Sequence, residues 1–384
     1  MTLCYQLDDK FEMIRMAVRE FAESEIKPVA GKLDEKEEFS VSLTQKMGDI
    51  GLFGMVVSEE YGGQGLDYIS YIIAMEEIAR VDGSQAATLA AGNSLGISPI
   101  DAFGSEAQRR KYLPDLCRGR TLMGFGLTEP NAGSDAGATR TTAVQDGDSW
   151  IINGRKTLTT NANTPMTKGS VIQAVTGARP DGRPDYSCFI VENGTPGFTL
   201  NTLKKKLMWR ASNTAELFLD HCRVPNDVLL GNPGDGFKQM LATLDGGRLS
   251  IAAMGLGCAQ GAYEAAMRYS KERIQFGRPI SKQQAIAFKL ADMELKTELA
   301  RNLLYKACWL CENKRRFGKE AAMSKLYCSE IAKEVADEAV QIHGGYGLFK
   351  DYDVERFYRD QRLLQIGEGT SEILRIVISR AIGC

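Results

Sequence analysis

Histidine is nearly missing from this chain, with two among 384 residues. A histidine-rich metal centre has almost nothing to draw on. The nine cysteines are odd in number and scattered. The one C-x-x-C, Cys308 to Cys311, has no second pair at zinc spacing and lies in Ala307-Cys308-Trp309-Leu310-Cys311, which reads as buried helix. Core thiols, no metal and a reducing, cytoplasmic compartment are expected. No apolar run reaches the roughly eighteen residues of a membrane-spanning helix. The N-terminus, MTLCYQLDDKFEM, lacks the basic start and apolar run of a signal peptide. An excess of either charge is also missing, since 47 basic and 49 acidic residues leave a net charge of −2. That balance argues against bulk binding to nucleic acid or to a membrane surface. No G-x-G-x-x-G opens a helix after a strand, and no Walker loop occurs.

What is present is enough apolar material, 43% of residues, for two or three structural units. Residues from about 8 to 120 read as helix. Phe11, Ile14, Met16 and Val18 begin an apolar face that Phe21, Ile26 and Val29 continue. Ser105-Glu106-Ala107-Gln108 is a capping box that opens another helix. Tyr61-Gly62-Gly63-Gln64-Gly65 reads as a loop. From residue 123 to about 232 short alternating segments replace the helices. Examples are Ser149 to Gly154, Ser187 to Val191 and Ala215 to Asp220, bordered by turn residues, and they suggest an antiparallel sheet. From 233 onward long helices return, with Ile286, Leu290, Met293 and Leu303 on one stripe and a second helix from Lys319 to Val340. The expected fold class is α+β, in three parts: 1–122 helical, 123–232 β-sheet and 233–384 helical.

Four glycine-bearing stretches invite a chemical reading. Phe125-Gly126-Leu127-Thr128-Glu129-Pro130-Asn131-Ala132-Gly133-Ser134-Asp135 offers hydroxyls and free amides to a carbonyl-rich or anionic ring, and also suits a plain junction loop. Arg273-Ile274-Gln275-Phe276-Gly277-Arg278-Pro279-Ile280, followed by Gln283 and Gln284, suits a phosphate near a helix start or a solvated basic turn. Gln341-Ile342-His343-Gly344-Gly345-Tyr346-Gly347 implies close backbone approach, and its lone His343 reads as structural. The fourth is Gln365-Ile366-Gly367-Glu368-Gly369-Thr370-Ser371-Glu372-Ile373. Here a carboxylate stands between two glycines, where a ligand could come close.

In this order and spacing the four stretches resemble the acyl-CoA dehydrogenase family. The resemblance also covers Glu59-Glu60-Tyr61-Gly62-Gly63, Asn153-Gly154-Arg155-Lys156, Asp220-His221-Cys222-Arg223-Val224-Pro225 and Leu244-Asp245-Gly246-Gly247-Arg248. It spans nearly the whole chain. It implies an N-terminal helical domain, a middle β domain and a C-terminal four-helix bundle. It also implies FAD as cofactor, a homotetramer, and oxidation of an acyl-CoA thioester to the trans-2-enoyl-CoA with electrons passed to electron-transferring flavoprotein.

On that resemblance Glu368 is the base that takes the α-proton. An α-proton beside a thioester is weakly acidic, so the base must touch it and the enolate must be stabilised. Some family members carry the base on the helix of the L-D-x-x-R pattern; the matching position here is Gly247, which has no carboxylate. Phe125, Leu127 and Thr128 should line the flavin pyrimidine edge. Ser134 should lie near the FAD phosphates or the CoA arm, and Thr160 near flavin N5. Arg273, Phe276 and Gln284 should reach FAD across a subunit interface. Gln341, Gly344 and Gly345 should line its adenosine end, and Thr370 and Glu372 should contact it too. Asp245 and Arg248 should face the CoA chain, and Gly369 the substrate.

Two positions depart from the family pattern. Leu158 stands where a tryptophan usually stacks on the flavin, and Gly367 replaces the usual tyrosine before the base. Both remove bulk, so the expectation is a wider pocket for a branched, cyclic or aryl-bearing acyl chain, unless neighbouring side chains refill it. An enoyl-CoA reductase running in reverse and a non-catalytic acyl-CoA-binding relative are the alternatives. An acyl-CoA oxidase would be expected to be longer.

Overall fold

The computed structural model describes residues 8–384. Cys4 and the first half of the segment read for a signal peptide lie outside the described residues.

The first helices are α1 (Asp9–Phe21), a π turn over Ala22–Ile26, and α2 (Lys27–Lys36). The buried apolar positions are Phe11, Val18, Ala22, Ile26 and Ala30. This corrects the expected apolar face. Met16 is 62% exposed and Val29 36%, because residues two apart on a helix point to opposite sides. The π turn then shifts the register by its extra residue. After α3 (Val41–Asp49) come α4 (Tyr68–Ala79), α5 (Gly83–Ala90), a second π turn (Ala91–Ile97), α6 (Ser98–Phe103) and α7 (Glu106–Cys117). The capping box at α7 forms as expected: Ser105 Oγ accepts from Gln108 N at 3.2 Å, and Gln108 Oε1 accepts from Ser105 N at 2.9 Å.

The middle region is an eight-stranded sheet made by β1 (Leu122–Gly126), β2 (Thr142–Asp146), β3 (Ser149–Thr160), β4 (Thr167–Ala178), β5 (Pro184–Glu192), β6 (Phe198–Thr202), β7 (Thr214–Pro225) and β8 (Leu229–Leu230). Seven strands run in the order β6-β7-β3-β2-β4-β5-β8, with β1 paired to β4 off this path. The sheet is mixed rather than antiparallel, since β1 and β2 both run parallel to β4. Its core, around Trp150, Ile152, Phe189 and Leu217, is separate from the helical one. The β1 residues Leu122, Met123 and Phe125 belong to the helical core instead.

The last third comprises α8 (Gly236–Glu272), a hairpin of β9 (Ile274–Gln275) and β10 (Arg278–Pro279), α9 (Gln284–Glu312), α10 (Gly318–His343), α11 (Val354–Asp360) and α12 (Ser371–Ala381). On α9 the buried stripe is Leu290, Met293, Thr297, Ala300, Leu304 and Cys308, so Leu304 takes the place expected of Leu303. Cys308 is a buried free thiol, and Cys311 is free and partly buried. No described helix is long and apolar enough to cross a membrane.

Two devices fix α4 against the later helices. A Cβ at Gly261 would sit 2.1 Å from Arg80 O, and one at Gly257 2.3 Å from Glu76 O. Only glycine lets α8 lie so close to the α4 backbone. Fully buried Glu77 on α4 also accepts from Arg15, Arg19 and Arg80, while Glu76 accepts from Arg301 and Tyr305. Each buried carboxylate is thus paired, which its burial demands. Tyr68 and Tyr71 are thereby held beside α8, where Tyr71 Oη lies 3.0 Å from Ser250 Oγ.

Candidate functional site

The chain leaves α11 through a short 3-10 turn (Gln361–Gln365) and reverses before α12. The N–H groups of Ile366 and Gly367 both reach Leu363 O at 2.8 Å. Glu368 then adopts φ 51° and Gly369 φ 97°. A left-handed glutamate costs about 1–2 kcal/mol, and such strain gathers at functional positions. Thr370 ends the turn by capping α12, its Oγ1 accepting from Ile373 N at 3.3 Å. Among the described residues the Glu368 N–H finds no acceptor.

The Glu368 carboxyl points inward. Its Oε2 is buried and has no hydrogen-bond partner. It abuts α8 so closely that a Cβ at Gly247 would lie 2.1 Å from it. Position 247 and the Glu368 carboxylate therefore occupy one space from two different elements. Lys325 of α10 and Arg248 of α8 face the carboxyl, with Tyr68 and Tyr71 alongside. Burial outweighs the two cations and pushes the Glu368 carboxyl up to about 7. Burial likewise brings the Lys325 ammonium down to about 8. A carboxyl poised near neutral suits proton abstraction. Arg248 is 7% exposed and donates to Asp245 Oδ1 at 2.5 Å. Gly369 O accepts from Lys325 Nζ at 2.7 Å.

A second group gathers where β1 ends. Phe125 is buried, and Leu127 and Thr128 are half-buried. Thr157 N donates to Thr128 O at 2.9 Å, and Lys156 Nζ to Leu127 O at 3.3 Å. Lys156 also pairs with Glu129 at 2.8 Å, with both side chains buried. Glu129 accepts further from Thr141 Oγ1, Thr141 N and Arg140 N. Burial alone would raise its carboxyl, but the Lys156 and Thr141 donors hold it below the usual range. The loop from Leu127 to Thr141 is thus folded over one buried carboxylate, with Ser134 exposed on its outside. Between Lys156 and Thr159 the β3–β7 register slips. Such a bulge re-aims a side chain: Leu158 takes φ 56° and is 63% exposed, while Thr160 is half-buried. The N–H groups of Leu127 and Thr128 find no acceptor among the described residues. Free donors beside an exposed apolar side chain fit the polar edge and flat face of a flavin.

The third group is a cavity of about 430 Å³ between the end of α8, the β9–β10 hairpin and the end of α10. Arg273, Gly344 and Gly345 line it, with Tyr269, Tyr346 and His343. His343 is buried, stacked on Tyr269 at 4.3 Å, and its Nδ1 lies 2.7 Å from Ala339 O, a structural placement. Phe276 at the hairpin tip is 95% exposed. Gln284, Gln341 and Glu372 are also exposed and outside the cavity walls. The cavity shares no lining residue with the Glu368 surroundings.

Sequence reasoning missed Lys325, Tyr68, Tyr71 and the Glu129–Lys156 pair. For Lys325 a signal was available. It interrupts the small residues Ala321, Ala322, Cys328, Ser329 and Ala332, all buried on one face of α10.

Three family descriptions match the chain: acyl-CoA dehydrogenase N-terminal domain over residues 8–120, middle domain over 124–222 and C-terminal domain over 234–383. The probable acyl-CoA dehydrogenase YngJ of Bacillus subtilis (strain 168) is 50% identical, over 98% of this chain and 99% of its own. The solved butyryl-CoA dehydrogenase from Megasphaera elsdenii superposes with a TM-score of 0.95 at 40% identity, covering 99% of this chain and 100% of that one. A chain from a structure described as electron transferring flavoprotein of Acidaminococcus fermentans also reaches 0.95, at 44% identity and with 99% and 100% covered.

Proposed function

The chain belongs to the acyl-CoA dehydrogenase family of flavin-dependent oxidoreductases, and we propose that Glu368 is the base that removes the α-proton of its acyl-CoA. The observation that carries this reading is the buried, unpartnered Glu368 carboxyl, poised near neutral, with a free backbone N–H on the same residue. FAD is the cofactor, and when bound it would supply the acceptor for the hydride of the acyl β-carbon.

The chain's own residues supply the rest. The Glu368 carboxylate takes the proton, and its N–H, freed by the left-handed turn, donates to the thioester oxygen as charge develops there. The free N–H groups of Leu127 and Thr128 would hold the flavin's polar edge, with Phe125, Leu158 and Thr160 about the ring and Ser134 near the phosphates. Thr370 and Glu372 flank the same group from the base turn. The cavity at Arg273, Gly344 and Gly345, with the exposed Phe276, Gln284 and Gln341 outside its walls, would receive the cofactor of a neighbouring subunit in a homotetramer. Asp245 and Arg248 lie toward the CoA arm, and Gly369 lets the substrate approach. The three-part division at 122 and 232 follows the change from helices to strands and back. Electrons would pass to an electron-transferring flavoprotein, a partner that the Acidaminococcus similarity favours, in the cytoplasm.

For the substrate we propose a short acyl chain with room for a branch or ring. At Gly367 an added Cβ would meet nothing closer than Leu363 Cδ2 at 3.4 Å, an ordinary contact, so a side chain could start there without a clash, which supports an open space beside the base. A linear short chain is the second reading, favoured by the likeness to a butyryl-CoA dehydrogenase. Anaerobic titration of the FAD-loaded protein with butyryl-, isobutyryl-, cyclohexanecarboxyl- and phenylpropionyl-CoA decides between them by flavin bleaching. Bleaching by butyryl-CoA alone sinks the wide pocket. Bleaching by none, with flavin bound, favours an enoyl-CoA reductase.

A further inference from the structure

Lys325 is among the most deeply buried lysines of the chain, with no exposed surface. Among the described residues it forms no ion pair with a carboxylate; its ammonium donates instead to the Gly369 carbonyl. Its neighbours on α10 do related work. Ser329 Oγ donates to Leu364 O at 2.8 Å, and Glu330 accepts from Gln365 Nε2 at 2.7 Å and from Ser371 Oγ at 2.6 Å. Three side chains within six residues of one helix therefore grip the backbone and flanks of the turn that carries Glu368. The turn needs such a grip, because two successive left-handed residues do not hold themselves in place.

We propose that Lys325 is a positioning residue for the base: it fixes the Gly369 carbonyl, so aiming both the Glu368 carboxylate and the Glu368 N–H, and sets a positive charge beside that carboxylate. The inference rests on Glu368 being the base. A buried ammonium is expensive to keep, and this one sits where its charge favours the ionised carboxylate. Arg248 faces the same carboxylate from α8. Glu330 and Glu372 face Lys325 from α10 and α12, and Tyr68 and Tyr71 close the α4 side.

The test compares FAD-loaded wild type with Lys325→Met, Lys325→Gln and Lys325→Arg by stopped-flow flavin reduction with butyryl-CoA across pH. The two neutral variants should slow reduction by about 10- to 100-fold, the scale of a misplaced reacting group. Their acidic limb should also move up by about one pH unit, since the carboxylate loses a neighbouring cation. Arginine keeps the charge, so its limb should stay near wild type even where its rate falls. If Lys325→Met does not fold, Lys325→Gln carries the same comparison. Rates and limbs unchanged in the neutral variants, while Glu368→Gln is inactive, overturn the Lys325 role alone. A Glu368→Gln enzyme as fast as wild type overturns the base assignment beneath it.

Discussion

Replacing Glu368 by glutamine should make the protein more stable relative to wild type as pH rises, while removing its chemistry. Burial holds the carboxyl at about 7 against an ordinary 4.5. Below 4.5 the group is protonated in both the folded and unfolded chain, and it costs nothing. Between 4.5 and about 7 the unfolded chain gives up its proton and the folded chain keeps it. Each pH unit in that window removes about 1.4 kcal/mol of stability. From pH 5 to pH 8 the wild type should lose about 2.5 kcal/mol through this one group. Glutamine cannot ionise, so the variant escapes that loss. For 384 residues the unfolding entropy is about 0.8 kcal/mol per kelvin, so the gap in Tm should widen by about 3 °C across that pH range. Scanning calorimetry of both FAD-loaded proteins at pH 5 and pH 8, without acyl-CoA, reads it directly. Taking the difference between the two pH values cancels the pH-independent effects of the amide. A Tm gap that does not change with pH would mean the carboxyl is solvated, and the reasoning would fail.

The rate of flavin reduction should climb with pH through about 7 as Glu368 ionises; a profile flat from pH 5 to 8 would show the base already ionised. Lys156→Met leaves Glu129 charged and buried without its cation, and should cost about 3–5 kcal/mol, read by urea unfolding, together with weaker flavin retention on dialysis. A loss below 1 kcal/mol would mean that the Thr141 and Arg140 donors suffice for Glu129. Gly367→Tyr should fill the space above Leu363, keeping butyryl-CoA turnover while suppressing any turnover of cyclohexanecarboxyl-CoA, and equal effects on both substrates would place Gly367 away from the acyl chain.

The order of helices, sheet and helices was legible because each carries its own periodicity, and the Ser105–Gln108 box marked a helix start to the residue. The face of α1 and α2 was not, because the π turn at Ala22–Ile26 leaves no mark in apolar spacing. Met16 was misplaced by ignoring that residues two apart diverge. The parallel pairing of β1 was hidden too. Leu122-Met123-Gly124-Phe125-Gly126 is buried throughout and shows no alternation to reveal a partner. At the site, Glu368 stood out through its flanking glycines and family likeness. Gly247 was noted only for lacking a carboxylate; that its missing side chain makes room for the carboxyl of Glu368 depends on a contact between residues far apart in sequence. Lys325 was passed over because a helical lysine ordinarily reads as solvated surface.

The measurement that bears most directly on the account is anaerobic stopped-flow mixing of butyryl-CoA, or of whichever acyl-CoA the titration selects, with FAD-loaded wild type and Glu368→Gln. The account predicts rapid flavin bleaching in the wild type, and in the variant bound flavin that stays oxidised over the same time. Bleaching of the variant at the wild-type rate would contradict it and place the base elsewhere.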